Sequence, residues 1–308
     1  MMEDAATSSR ASWFQATARQ RVAGLLDPNS FTEFVGPSER VQSSHLHLFD
    51  LPSAFDDGVV VGRGTLDGKA VLVAAQEGQF MGGTFAEVSG AKIIGLVRAA
   101  RDHKDLPQTV LLLIDSGGVR LQEANAGELA VAELMRAIVQ ARSAGVTVIA
   151  LVGGKSGAFG GAGLTAATCS RVVVSAQGRI AVSGPEVIET NKGVEEFDSA
   201  DKALVWSVDG GKNRRLIGGA DAFAEDSMEG FRAAAKALLA RAPAFDLKTM
   251  QAEQERLVAR QELLGACNDA VSMWQVLGIK DPEAIRDMDN KDFATLSNSI
   301  QEANHDAR

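Results

Sequence analysis

Two short apolar runs in the middle of the chain, each followed by paired glycines, dominate its hydrophobic pattern. The first run, TVLLLI at 109–114, leads into DSGG at 115–118, and the second, VTVIALV at 146–152, leads into GGKSGAFGG at 153–161. Runs this short, rich in Val, Leu and Ile and bounded by turn residues, are typical of strands buried on both faces. Helical patterns follow both runs, which predicts two neighbouring parallel strands in an α/β fold.

The rest of the chain alternates strand-like and helical patterns. The runs VVVGRGTL and KAVLVAAQ flank Asp67-Gly68, a dipeptide typical of tight hairpins. Ser12 is the expected N-cap of a first helix. The segment 127–143 is expected to pack as a helix on the sheet through Leu129, Leu134, Met135, Ile138 and Val139. Further helices are predicted over residues 13–26, 88–104, 226–241 and 246–264.

The chain shows no internal repeat and no clear linker, which predicts one large domain. We expect a mobile leader over residues 1–12 and a single domain over 13–285 that includes the C-terminal helices. The remaining residues, 286–308, are expected to form a polar and frayed tail.

The composition argues against several functional classes. The chain has 308 residues and a net charge of −9, which disfavours nucleic acid or an anionic membrane as a partner. No apolar run approaches the roughly 18 residues of a membrane span, and the acidic, polar start lacks the apolar core of a signal peptide. Cys169 and Cys267 are too few for a disulfide framework, which indicates reduced thiols in a cytoplasmic protein. His45 and His47 have no third ligand nearby, so no metal site is expected.

The two glycine pairs indicate a site built from the backbone. Glycine lets the main chain approach a ligand closely, and a helix N-terminus presents free N–H groups to negative charge. Two peptide N–H groups, one from each loop, would converge on a thioester carbonyl and stabilise its enolate. The spacing leaves a second explanation open, in which the glycines only permit tight packing between strands and helices.

Two better-known motifs fit the second loop poorly. The sequence GGKSG at 153–157 is similar to a phosphate-binding P-loop, but Ile149 occupies the position of the first glycine. The stretch from Gly154 to Ala158 is also similar to a serine-hydrolase elbow with Ser156 as nucleophile, yet no histidine-bearing motif lies nearby. Both alternatives are disfavoured.

Several motifs, in order along the chain, resemble one family. The sequences DSGGVRLQE at 115–123, FMGGTFAEVSGAKI at 80–93 and RIAVSGPEVIE at 179–189 resemble segments of the acyl-CoA carboxyltransferase β subunits, within the crotonase superfamily. The opening ARQRVAGLLDPNSFTEF at 18–34 is similar to their first helix. The resemblance covers about residues 15–240.

Within that family, the stretch 201–226 resembles the β subunits of biotin-independent malonate decarboxylases. Acetyl-CoA carboxylase β subunits usually carry an N-terminal four-cysteine zinc ribbon, and here no cysteine precedes Cys169. The related hydratases place a catalytic glutamate three residues after the second oxyanion glycine, where this chain has Leu164. Hydration is therefore disfavoured.

The resemblance implies a fold, a reaction and a set of partners. The fold would be crotonase-like, an α/β fold of repeated ββα units with extra helices at both ends. The reaction would be decarboxylation of a malonyl thioester, carried on the dephospho-CoA-derived prosthetic arm of an acyl carrier protein, without biotin. A γ subunit would share the work, because sites in this family lie between two subunit halves. A biotin-dependent carboxyltransferase β subunit and a non-catalytic scaffold subunit are the alternatives.

The same resemblance implies roles for individual residues. The oxyanion site would come from Gly117, Gly118, Gly160 and Gly161, with Gly118 and Gly161 as the leading donors, and the acyl pocket would be shaped by Gly82 and Gly83. Among the polar residues, Ser156 is a candidate for substrate binding, and the proton donor is left open between Ser156, Glu186 and water. Arg120 would contact a phosphate of the arm or the leaving carboxylate, or else pair structurally with Glu123. A carrier protein or the arm's phosphates, or else solvent, would contact the basic cluster of Lys212, Arg214 and Arg215.

Overall fold

A seven-stranded sheet is the central layer of the fold. The computed structural model describes residues 11–50, 55, 58–239 and 244–306. The strand order is β1-β2-β3-β4-β5-β7-β9; β1, β2 and β3 are antiparallel neighbours, and the pairs from β3 to β9 are parallel. A separate parallel pair is formed by β6 and β8. The strands are β1 (Thr32–Phe34), β2 (Val59–Leu66), β3 (Lys69–Gln76), β4 (Thr109–Ile114), β5 (Thr147–Val152), β6 (Ala158–Phe159), β7 (Arg171–Ser175), β8 (Ile180–Ala181) and β9 (Ala222–Ala224).

The predicted hairpin and the predicted parallel pair are both confirmed. Asp67 and Gly68 have φ angles of +55° and +72°, so the turn between β2 and β3 is left-handed at both central positions, as a tight hairpin requires. β4 and β5 pair in parallel over their full lengths, from Thr109 opposite Thr147. Their carboxyl ends, and the glycine loops that follow, therefore meet at one edge of the sheet.

Helices cover both faces of the sheet, and alternate strand residues face each side. Val110 and Leu112 of β4 pack with α2, α3 and α4, whereas Leu111 and Leu113 pack with α1 and α8. Both faces are buried, which explains the continuous apolar strands. The helices are α1 (Ala18–Leu25), α2 (Glu87–Asp102), α3 (Ala126–Ser143), α4 (Gly161–Thr168), α5 (Pro185–Lys192), α6 (Lys202–Asp209), α7 (Gly211–Leu216), α8 (Met228–Leu239), α9 (Leu247–Leu264), α10 (Ala270–Val276) and α11 (Asn290–Asp306).

The buried stripe of α3 differs from the predicted one. Leu134 and Ile138 are buried and Met135 is partly buried against the same core, as expected, but Leu129 and Val139 are 64% and 41% exposed. Small residues of the helix, such as Ala130 and Ala137, fill the contact instead. The helix packs closely on α2 through these small residues and leaves two large apolar side chains outside.

The first helix begins later than the sequence pattern indicates. Thr17, not Ser12, is its N-cap, and its side chain accepts from the amide of Gln20 in a capping box. The Ser12 hydroxyl instead donates to Asp226 at 2.7 Å, which ties the start of the described chain to the segment before α8. The predicted mobile leader otherwise lies outside the described residues.

The C-terminal segment is polar but not frayed, so that part of the prediction is wrong. Residues 290–306 form α11, and Phe293 is buried in a third apolar cluster with Trp274, Ile285 and Leu216. Apolar residues at helical spacing in a polar sequence give this helix one face that packs on the core. Among the described helices, none combines the length and the apolar character that a membrane crossing requires.

Candidate active site

Three loops lie side by side at the edge where the parallel strands end. In the first contact, the amide of Phe85 donates to the carbonyl of Gly118 at 2.8 Å, next to a parallel bridge between Phe85 and Val119. In the second, the amide of Phe159 donates to the carbonyl of Ser116 at 3.0 Å. The loop after β4 is thus hydrogen-bonded on one side to residues 80–86 and on the other to β6.

The two glycine pairs meet in this array. A β-carbon placed on Gly160 would lie 3.8 Å from the Cα of Gly118, so the two loops approach each other through residues without side chains. Gly118 has φ +126° and Gly160 has φ +55°, conformations that other residues rarely adopt. The structure therefore brings together the two glycine loops predicted to form the oxyanion site, residues 115–118 and 153–161, which we call the first and second cradle loops. Their catalytic role stays a prediction.

The backbone amides of the four glycines are not equivalent. The amide of Gly117 donates to the carbonyl of Gly82 at 2.9 Å and is therefore already used. The amide of Gly118 has only a longer contact, 3.2 Å to the hydroxyl of Ser116. Gly161 is the first residue of α4, so its N–H has no acceptor within that helix. The geometry favours Gly118 and Gly161 as donors over Gly117.

Gly82 and Gly83 support the first cradle loop. Gly83 has φ +65°, and a β-carbon there would lie 1.8 Å from the carbonyl oxygen of Asp115, so only glycine fits. Gly82 has φ +69° and accepts the amide of Gly117. These contacts show how the pair positions DSGG; its predicted role in shaping an acyl pocket is not tested by them.

A buried carboxylate joins the two loops, and the sequence analysis did not identify it. One oxygen of Asp115 accepts from the amide of Ser156 at 2.6 Å, and the other accepts from the guanidinium of Arg21 at 2.7 Å. Burial raises the pKa of Asp115, whereas the charge and hydrogen bond of Arg21 and the Ser156 amide act in the opposite direction. β-Carbons on Gly78 or Gly154 would collide with this carboxylate. Asp115 therefore clamps both loops to α1.

Arg120 and Ser156 have mainly structural contacts in this chain. The guanidinium of Arg120 is buried and pairs with Glu123 at 2.8 Å, and the second oxygen of Glu123 accepts the first amide of α2, that of Glu87, at 2.9 Å. The structure thus favours the structural pair for Arg120. The hydroxyl of Ser156 makes a long contact of 3.4 Å with the carbonyl of Gly78.

The basic cluster near residue 214 does not form a solvent-facing patch. Lys212 donates to three carbonyls before α11, those of Ile285, Arg286 and Met288. Arg215 is buried and donates to the carbonyl of Ala220 and to Asn298. The predicted contact with a carrier protein or phosphate is thus disfavoured, because these side chains hold the C-terminal helices in place.

Large apolar side chains are exposed around the cradle. Leu121, three residues after Gly118, is 77% exposed, and Leu129 at the start of α3 is 64% exposed. The carbonyl of Val182 lies 3.8 Å from a β-carbon placed on Gly160, and the side chain of Val182 is 66% exposed. We call Leu121, Leu129, Leu164, Val182 and Val187 the apolar rim. Leu164 and Val187 are 41% and 51% exposed, on the helices α4 and α5.

Comparisons with known proteins identify the family of this chain. The model of the carboxyl transferase domain matches residues 15–265. The chain is also 38% identical to the malonyl-S-ACP:biotin-protein carboxyltransferase of Malonomonas rubra, an alignment that covers 94% of this chain and 96% of that protein. The chain belongs to the carboxyl transferase domain family. Its motifs therefore predicted the family correctly.

Solved structures of this family share the fold. A Pseudomonas malonate decarboxylase hetero-tetramer, in complex with malonate, contains a chain that is 38% identical, with a TM-score of 0.77 over 89% of this chain and 99% of that one. A Pseudomonas malonate decarboxylase hetero-dimer gives 37% identity and a TM-score of 0.63, covering 81% and 97%. The transcarboxylase 12S structure, at 27% identity, gives 0.62 over 79% of this chain and 43% of that one. The fold is crotonase-like, as predicted, and the chain is an enzyme subunit of this family.

Proposed function

We propose that this chain is the β subunit of a malonate decarboxylase. With a γ subunit it converts malonyl-S-acyl carrier protein into acetyl-S-acyl carrier protein and CO2, acting as a carboxy-lyase. The observation that carries the proposal is the convergence of the loops containing Gly118 and Gly161, in a chain whose similarity to the malonate decarboxylase structures extends over most of its length.

The proposed chemistry follows from where charge develops. When the bond between the carboxylate and the α-carbon breaks, CO2 leaves and the electron pair moves into the thioester, which becomes an enolate with charge on its oxygen. Amides of Gly118 and Gly161 would donate to that oxygen, and removal of one such donor typically costs about 10²–10³ in kcat. The enolate carbon then takes a proton, for which Ser156, Glu186 and water are the candidates.

The apolar rim is the proposed docking surface for the γ subunit. Leu121 and Leu164 each follow a cradle glycine by three residues, and the carbonyl of Val182 lies near Gly160, so a subunit seated on the rim would exclude water from the thioester and complete the site. The prosthetic arm of the carrier protein, derived from dephospho-CoA, would enter between the two subunits. The proposed setting is the cytoplasm, and the proposed reaction requires no biotin.

One observation favours a second candidate function. The Malonomonas relative carries biotin-protein in its name, and it is as similar in sequence as the Pseudomonas chain, at 38% identity each. A biotin-dependent carboxyltransferase β subunit would use the same cradle, because carboxyl transfer also passes through a thioester enolate. The two functions differ in where the carboxyl group goes.

A single assay separates these functions. We would co-express the chain with its γ subunit, purify the assembly, and measure CO2 release from malonyl-carrier protein and from malonyl-CoA with and without biotin. Biotin-free release that needs both subunits supports the decarboxylase. If an assembled pair releases CO2 or transfers carboxyl only when biotin is supplied, the chain is a carboxyltransferase subunit, and if γ alone turns over, this chain is a scaffold.

A further inference from the structure

The side chain of Arg179 is hydrogen-bonded to the second cradle loop. The guanidinium of Arg179 donates to the carbonyl of Lys155 at 2.5 Å. Its central carbon lies 4.6 Å from the centre of the Trp206 ring and 5.3 Å from that of the Phe159 ring. A cation between two aromatic rings is held in place, since cation–π attraction adds to the packing.

The main chain of the same residue holds the loop as well. The carbonyl of Arg179 accepts from the amide of Ala158 at 2.8 Å, and a β-carbon on Gly157 would lie 3.0 Å from that carbonyl oxygen. The loop between Lys155 and Phe159 is therefore attached to Arg179 at both ends. Gly160 and Gly161 follow directly, so the position of this loop sets the position of their amides.

A buried carboxylate lies next to Arg179 at the end of α6, because the backbone of Arg179 forms an antiparallel bridge with Gly210, the residue that follows Asp209. Asp209 is 1% exposed; one of its oxygens lies 3.5 Å from the guanidinium of Arg214, and the other has no hydrogen-bond partner among the described residues. Burial raises the pKa of Asp209 to about 6, and the charges of Arg214 and Arg179 act in the opposite direction. Glu186 and Asp115 also act on Arg179 electrostatically.

We infer that Arg179 is a positioning residue, which fixes the loop that carries Gly160 and Gly161 and is itself fixed by Trp206 and Asp209. The inference rests on the proposed function, because it takes those glycines to be oxyanion donors. It also gives the segment 201–226 a role, because Trp206 and Gly210 of that segment contact the arginine that holds the second cradle loop. A half-buried arginine that holds the loop would then influence the reaction through the position of the two glycine amides.

The first test compares turnover of the assembled β–γ complex. Arg179→Met removes the hydrogen bond to Lys155, and Arg179→Lys keeps a donor but loses the planar stacking. A small displacement of catalytic groups costs on the order of 100-fold in rate, so we expect a fall in kcat of roughly 10- to 100-fold for Arg179→Met, with KM little changed. Arg171→Met is the control, because Arg171 is an arginine at the first position of β7 that pairs with Asp221 and, among the described residues, makes no hydrogen bond to the loop from Lys155 to Phe159.

The second test uses pH. Asp209 loses its charge as the pH falls through about 6, and Arg179 then loses its anionic neighbour. We expect kcat of the wild-type complex to fall on that acidic limb and Asp209→Asn to show a reduced kcat without the limb. An unchanged acidic limb in Asp209→Asn contradicts the role given to Asp209.

The third test does not depend on turnover. Amide hydrogen exchange of the segment 156–161 should be faster in Arg179→Met than in wild type and unchanged in Arg171→Met. Unchanged exchange together with unchanged kcat overturns the inference, and so does a parallel rise in KM, which would indicate lost substrate binding. If Arg179→Met does not assemble, Arg179→Lys is compared with the wild type instead. A wild-type complex without turnover would refute the proposed function, and the exchange result would still show whether Arg179 holds the loop in place.

Discussion

The buried pair of Arg21 and Asp115 offers the sharpest test of how this site is built. Arg21 lies on α1 and reaches across to Asp115, whose other oxygen holds the amide of Ser156. A second nitrogen of Arg21 donates to the carbonyl of Trp13 at 2.9 Å. Arg21→Met keeps most of the apolar stem and removes the cation, so one carboxylate is left buried without its partner.

Removing one member of a buried ion pair typically costs about 3–5 kcal/mol, and we expect Arg21→Met to lower the free energy of unfolding by about that amount at pH 8. Burial already raises the pKa of Asp115, and loss of Arg21 raises it further. A carboxyl whose pKa is higher in the folded state stabilises folding as the pH falls through that value. The deficit of the variant should therefore shrink between pH 8 and pH 5.

Urea unfolding of the purified chain, followed by tryptophan fluorescence, measures this directly because Trp13 is buried beside Arg21. Asp115→Asn and the double variant Arg21→Met/Asp115→Asn complete the cycle. We expect the double variant to lose about 1–3 kcal/mol less stability than the two single variants lose together. Additive losses in the two single variants would refute the proposal that this ion pair holds the loops on α1. A stability deficit of Arg21→Met that grows as the pH falls would refute it as well.

Three further predictions concern the loops and the rim. Gly83→Ala should destabilise the chain by about 3 kcal/mol or more, because its methyl group meets a backbone oxygen, whereas Gly145→Ala, with open space around it, should cost only about 1 kcal/mol in the same unfolding assay. Leu129→Asp should prevent capture of the γ subunit in analytical ultracentrifugation while leaving the melting temperature within a few degrees; normal assembly would exclude Leu129 from the interface. Ser156→Ala should retain turnover in the CO2 assay, because the backbone donors need no side-chain nucleophile and water or Glu186 can supply the proton; complete loss would instead favour Ser156 as nucleophile or proton donor.

The strands and the family were readable from the sequence because their signals are local. A buried parallel strand needs a continuous apolar run, and a tight hairpin needs residues that accept positive φ, as Asp67-Gly68 do. Glycine pairs after two such runs identified the loops of the site, although the spacing could not tell which amides were already hydrogen-bonded. The amide of Gly117 donates to the carbonyl of Gly82, which lies 35 residues away in sequence, so no local pattern indicates this contact.

The errors arise where tertiary contacts override the local pattern. Leu129 has the spacing of a core residue but is exposed, whereas its neighbour Ala130 packs against Gly90 of α2. The C-terminal segment is polar in composition, yet Phe293, Leu296 and Ile300 pack it against the third apolar cluster. Arg21 and Asp115 are charged residues, which are usually exposed, so only their partners reveal that they are buried.

The central claim is that backbone N–H groups stabilise the enolate, and one paired measurement tests it most directly. Gly118 has φ +126°, which proline cannot adopt, whereas Gly161 is the first residue of α4, where proline is well tolerated. A β-carbon at 161 would lie 2.5 Å and 2.9 Å from the two γ-carbons of Val131, so Val131→Ala removes both close contacts, leaves the β-carbon at 3.2 Å, and serves as the control.

We would compare kcat for biotin-free CO2 release between Val131→Ala and Val131→Ala/Gly161→Pro, each in an intact β–γ assembly. We predict a loss of about 10²–10³ in kcat for the double variant, with KM nearly unchanged, because one donor to the developing oxyanion has been removed. Equal kcat values in the two assemblies would contradict the account.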